Sequence, residues 1–82
     1  MTLPDIRFLD YVAEASMNFK LACASPKGSA QRMEWIEKAE KCAASARAIL
    51  PAMISEPLAV ELLVAEKGCV QLRLREKETP LA

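Results

Sequence analysis

The residues able to do chemistry are few and scattered. Cys23, Cys42 and Cys69 form no CxxC or other close pair, and the 82-residue chain contains no histidine. Without an imidazole, the Ser-His and Cys-His nucleophile pairs cannot be assembled. Zinc has no ligand set, because neither His nor a paired Cys spacing is present. An odd number of thiols without paired spacing points to free cysteines in a reducing compartment, each serving as a small buried hydrophobe. Gly28 and Gly68 lie far apart, each in a turn signal, so they form no phosphate-binding loop. Glu34, Glu37 and Glu40 recur every third residue and read as a solvated helix face rather than a catalytic acid and base. The sequence therefore offers no catalytic, cofactor-binding or metal-binding residues, and it reads as a non-enzyme that needs no cofactor.

Residues suited to binding are easier to find. Trp35 is the single tryptophan, and Met33 and Met53 fall outside the regular apolar stripes. Tryptophan is favoured where proteins anchor one another, and methionine suits adaptable contacts; the bland role for Trp35 is to cover the edge of the core. Gln71, Arg73 and Arg75, with Lys77, place polar and basic groups at alternate positions. They are candidates for contact with phosphates or with an acidic protein surface. Glu66, Glu76 and Glu78 dilute that charge. Eleven basic and eleven acidic residues give zero formal net charge, which argues against nucleic acid as the partner.

These side chains need elements to hold them. The apolar fraction of 52% is too high for a disordered tail, and the length fits one domain spanning 1–82. The first helix is expected over about 3–24, with Thr2 as its cap, Pro4 in its first turn and Asp5 in a variant capping box. Phe8, Val12, Ala15, Phe19 and Ala22 make one apolar face at 4-3-4-3 spacing. Ile6, Leu9, Ala13 and Met17 make a second. Ser25-Pro26-Lys27-Gly28-Ser29 is a turn cluster. A second helix follows over about 27–50, capped by Ser25 or Ser29, with Ile36, Ala39, Ala43, Ala46 and Leu50 inward and Trp35, Cys42 and Ile49 beside them. Five alanines between Ala39 and Ala48 permit close helix approach. Glu34 with Lys38, and Glu37 with Lys41, are favourably ordered i,i+4 pairs. Pro51 ends the pattern.

Residues 58–76 read as a β-hairpin closed by Glu66-Lys67-Gly68. Counting outward from that loop puts Val60, Leu62, Val64, Val70, Leu72 and Leu74 on one face. Leu63 opposite Gln71, and Glu61 opposite Arg73, fall on the other. The expected fold is α+β: an antiparallel helical hairpin packed on a C-terminal two-stranded sheet, with a loose tail over about 78–82. The alternative is an all-α three-helix fold, in which Ser55, Pro57 and Gly68 delimit a short helix over 58–67.

The functional expectation is a small protein-binding module that occupies a surface on another protein as an inhibitor, adaptor or regulatory accessory. A nucleic-acid-binding regulator using the basic strand, or a structural subunit of a larger assembly, are the alternatives. Small phage-encoded inhibitors share this size and lack of catalytic groups, a likeness of size alone. A core near the lower size limit for independent stability favours a homodimer. Its seam is expected at Ile6, Leu9, Ala13 and Met17, or at an open sheet edge. No apolar run is long enough for a membrane span, and Met1-Thr2-Leu3-Pro4-Asp5 lacks the features of a secretory signal, so a cytoplasmic setting is expected.

Overall fold

The computed structural model describes residues 3–51 and 53–77. Within them the chain forms three helices, α1 (Leu3–Ala24), α2 (Ala30–Ala48) and α3 (Glu56–Lys77), each packed against the other two. Thr2 and the segment 78–82 lie outside the described residues.

The α1–α2 turn follows from its side chains. Ser25 Oγ donates to the Leu21 carbonyl at 2.8 Å and closes α1. Gly28 adopts φ +81°, a conformation few other residues take, and reverses the chain. Ser29 caps α2: its Oγ accepts the Arg32 N–H at 3.1 Å and donates to the Pro26 carbonyl at 2.7 Å. Of the two candidate caps, Ser29 is the one used. At the far end, Ile49 N–H reaches the Ala46 carbonyl at 3.2 Å, and Pro51 follows where a helical N–H would be needed.

The C-terminal third overturns the hairpin. Residues 56–77 are one continuous helix, and there is no strand among the described residues. The α+β reading is therefore wrong, and the fold is the all-α alternative, a three-helix bundle. That alternative also ended its helix too early, since α3 runs through Gly68 to Lys77. Ser55 supplies the first acceptor, taking the Ala59 N–H at 3.0 Å, and Pro57 sits in the first turn, where its missing N–H costs nothing.

The physical reason lies in which stripe gets buried. Leu62, Ala65, Cys69 and Leu72, at 3-4-3 spacing, are the buried face of α3, and Leu58 packs against the same core. Ala65 and Cys69 are small enough to let α3 approach both other helices. The segment is also rich in Leu, Ala, Glu, Lys and Arg, all good helix formers. A two-stranded sheet would have left both its edges open. The helix instead satisfies its backbone internally and exposes Val60, Leu63, Val64, Val70 and Leu74.

The core has two parts. One joins Phe8, Val12 and Ala15 of α1 to Ala43 and Ala46 of α2 and to Leu62 and Ala65 of α3. The other joins Ala22, Ile36, Ala39, Cys69 and Leu72. Phe19 packs against both. The inward stripes expected for α1 and α2 are buried as read, except that Phe19 is half-buried and Leu50 exposed.

Candidate functional site: contact surfaces of the bundle

The six partner-contact candidates do not converge. Trp35 and Met33 are half-buried on α2 and pack against the cluster of Ala22, Ile36, Ala39, Cys69 and Leu72. Lys38 Nζ lies 4.7 Å from the centroid of the Trp35 ring, a cation–π contact that covers its outer face. Lys38 also pairs with Glu34 at 3.3 Å. Trp35 therefore seals the edge of the core beneath a lysine. Met53 sits at the opposite end of the bundle and is 91% exposed.

The basic strand of Gln71, Arg73 and Arg75 does not exist as a strand, and its residues face different ways on α3. Gln71 and Arg75 are exposed. Arg73 is not paired with Glu61 across a sheet. It turns to α2 and holds Glu40 with two bonds, Nε to Oε2 and Nη2 to Oε1, both 2.6 Å. Arg47 of α2 grips Glu66 of α3 in the same bidentate way, at 2.8 and 2.7 Å. Each clamp raises the pKa of its arginine, chiefly through the hydrogen bonds to the carboxylate. Glu66 is held below the ordinary carboxylate value, first by its hydrogen bond from Arg47.

These clamps had a signal in the sequence. Glu40 and Arg47 are separated by two helical turns, and so are Glu66 and Arg73. When the two helices run antiparallel, each glutamate meets the other helix's arginine. The hairpin register concealed this by placing 66 in a loop.

A third polar contact was also missed. Arg32 is buried at 8% exposure, and its Nε lies 3.2 Å from Glu76 Oε1. The other oxygen of Glu76 accepts the Gly28 N–H at 2.7 Å. The last turn of α3 is thereby fastened to the α1–α2 turn by a carboxylate set between a guanidinium and a backbone donor. The Arg32 Nε–H does not point along a hydrogen bond to Oε1, so that contact is a charge pair.

Cys42 and Cys69 are placed as structural groups, whereas Cys23, expected to be buried like them, is not. Cys42 donates to Glu14 Oε2 at 3.5 Å and accepts from Asn18 Nδ2 at 3.8 Å. Burial, then the Glu14 carboxylate, pushes its pKa up. Burial, then the Glu40 charge, pushes Cys69 to about 11. Both shifts favour the thiol over the nucleophilic thiolate. Cys23 is exposed, and the three described cysteines are unbonded to one another. No group of three His, Cys, Asp or Glu side chains among the described residues is arranged to hold a metal ion.

Apolar side chains are also open to contact. On α1, Ile6, Ala13 and Met17 are exposed and Leu9 half-buried, so the proposed seam is an outward face. Leu9 also lines an open groove of about 240 Å³ at the end of the bundle, with Phe8, Pro51, Met53, Ile54 and Leu58. No described helix is long and apolar enough to cross a membrane.

Compared with protein-family models, curated proteins and solved structures, the chain matches none of them. The likeness in size to phage-encoded inhibitors gains no support from these comparisons.

Proposed function

We propose that the protein is a non-enzymatic helical subunit that works by contact, taking its place in a larger assembly through the outer face of α1 and the adjoining groove. The observation that carries this reading is the continuity of apolar surface from Met17 through Ala13, Leu9 and Ile6 to the groove at Met53. Contiguous exposed apolar surface marks interaction sites more often than scattered side chains do. Its partner is another protein with a complementary aliphatic surface. The three free thiols suit a reducing, cytoplasmic setting. The nucleic-acid alternative loses its main support, because Arg73 is committed to Glu40 and no basic strand forms.

The test is affinity capture from a cell extract with the wild type and with Met17→Lys and Met53→Asp. Both changes lie at exposed positions, and circular dichroism checks that helicity is kept. One protein captured by the wild type and lost from both variants supports the reading. Equal capture by all three overturns it, as does DNA retention that falls steeply with salt.

A further inference from the structure

The outer side of α1 carries a stripe that complements its own reverse. Ile6, Asp10, Ala13, Met17, Lys20 and Ala24 follow 4-3-4-3-4 spacing, the spacing of a two-helix seam. All six are exposed, on the side of the helix away from the buried Phe8, Val12, Ala15 and Ala22. Two charges stand within the stripe, Asp10 and Lys20, and neither forms an ion pair among the described residues. Nearly three helical turns apart, they are too distant along α1 to pair with each other.

The stripe is symmetric about the level of Ala15. Asp10 and Lys20 stand five residues to either side of it, Ala13 and Met17 two, and Ile6 and Ala24 nine. Each of these pairs is complementary. An acid matches a base, and twice a small side chain matches a large one.

We infer that the partner at this face is a second copy of the chain, with α1 packed antiparallel on α1 about a two-fold axis level with Ala15. Antiparallel seams pair each stripe position with its reflection across the axis. Asp10 therefore faces the second copy's Lys20, and the symmetry makes that ion pair twice. Met17 covers the second copy's Ala13, and Ile6 its Ala24. A parallel seam would set Asp10 on Asp10 and Lys20 on Lys20. Sliding the antiparallel seam by one heptad would leave a charge against Ala13 or Met17. Glu14, at the edge of the stripe, comes nearest its own copy beside the axis, but it turns to α2, where it accepts from Cys42 at 3.5 Å. The interface is isologous and closes on itself, so it yields a dimer and not a fibre. The crossed charges fix direction and register, and the aliphatic contacts between them exclude water.

The inference rests on the reading of the outer face of α1 as a contact surface and names its first partner, leaving the groove at Met53 to the unlike protein. Sedimentation equilibrium of the full chain tests it, with circular dichroism as a control for helicity. The wild type is expected at twice its 9.0 kDa mass. Asp10→Lys alone and Lys20→Asp alone each bring like charges together twice and should weaken the dimer about tenfold or more. An equimolar mixture of the two variants, or the double variant, should recover the dimer, because opposite charges then meet again. Met53→Asp should leave the dimer intact. A monomer mass for the wild type at high micromolar concentration overturns the inference. So does a dimer indifferent to both reversals, a mixture of the two variants that stays monomeric, or a dimer lost with Met53→Asp. The proposed function fails separately: a monomeric wild type that still captures a protein through Met17 removes only the dimer, whereas a charge-dependent dimer whose capture is unchanged by Met17→Lys and Met53→Asp removes only the unlike partner.

Discussion

The ring of Phe19 in α1 lies against the backbone of α3 at Gly68, in the space that a Cβ on residue 68 would occupy. A glycine in a helix interior costs about 0.5–1 kcal/mol relative to alanine. Here it admits an aromatic ring that bridges the two halves of the core. Gly68 is thus a close-approach residue in the middle of a helix, not the turn residue its sequence context suggested.

Gly68→Ala should destabilise the bundle, against the usual gain for this change in a helix. The added methyl overlaps the outer carbons of the Phe19 ring, which must swing away. Overpacking of this kind costs about 1–3 kcal/mol, more than the recovered propensity. Urea denaturation should show a net loss of about 1 kcal/mol. In a Phe19→Leu background the same change should become neutral or stabilising. A gain in the wild-type background would contradict the packing described.

How much of this was legible can be argued from α1 and α3. The α1 boundaries and its buried face were readable because Phe8, Val12, Ala15 and Ala22 keep one helical spacing up to an obvious turn cluster. Helix α3 was not, because residues two apart on a helix lie about 200° round its axis. A helix apolar on opposite faces therefore imitates the alternation of a strand. Leu62 and Leu72 point inward and Val60, Val64, Val70 and Leu74 outward, yet in sequence they sort together. The small inward residues Ala65 and Cys69 carried the true period but too little hydrophobicity to announce it. Apolar candidates for contact were found on α1 for the same reason that α1 itself was found. The arginines of α3 were misplaced along with its backbone.

Arg73, read from the sequence as a residue for contact with a partner, is instead committed to the fold. Arg73→Ala removes a bidentate clamp between α2 and α3. The pair is partly exposed, so its coupling energy should be modest, about 0.5–1 kcal/mol. A double-mutant cycle with Glu40→Ala in urea denaturation measures it. The coupling should shrink in high salt. A coupling of zero at low salt would mean that the clamp does not hold the helices together in solution.

Thiol labelling should separate the cysteines by burial. Cys23 is exposed and should react at once with a maleimide at neutral pH. Cys69 is buried with its pKa raised to about 11, and should react only as fast as the bundle opens. The sign for stability follows from the same shift. A raised folded pKa favours the protonated thiol, so the contribution of Cys69 is complete below the ordinary value of 9.0. It is lost as the pH climbs from there through about 11. Cys69→Ala should remove that part of the alkaline loss, which parallel denaturation curves at neutral and alkaline pH would register. Equal labelling rates for Cys23 and Cys69 in the native protein would contradict the burial of α3.

The charge pair of Arg32 and Glu76 should be the polar contact most costly to break from one side. Their side chains are only 10 and 11% exposed, so removing either partner strands the other away from water. Glu76→Leu also deprives the Gly28 N–H of its acceptor. Breaking a buried pair typically costs about 3–5 kcal/mol, and this pair at the rim of the bundle should fall near the lower end. Arg32→Leu and Glu76→Leu should each lower the urea midpoint strongly. The double replacement should lose much less than the sum, because no uncompensated charge remains. Hydrogen exchange should localise the damage of Glu76→Leu to the last turns of α3 and to the 25–29 turn, which the carboxylate joins. Strict additivity of the two single losses would show that Arg32 and Glu76 act independently and that α3 is held at this end by packing alone.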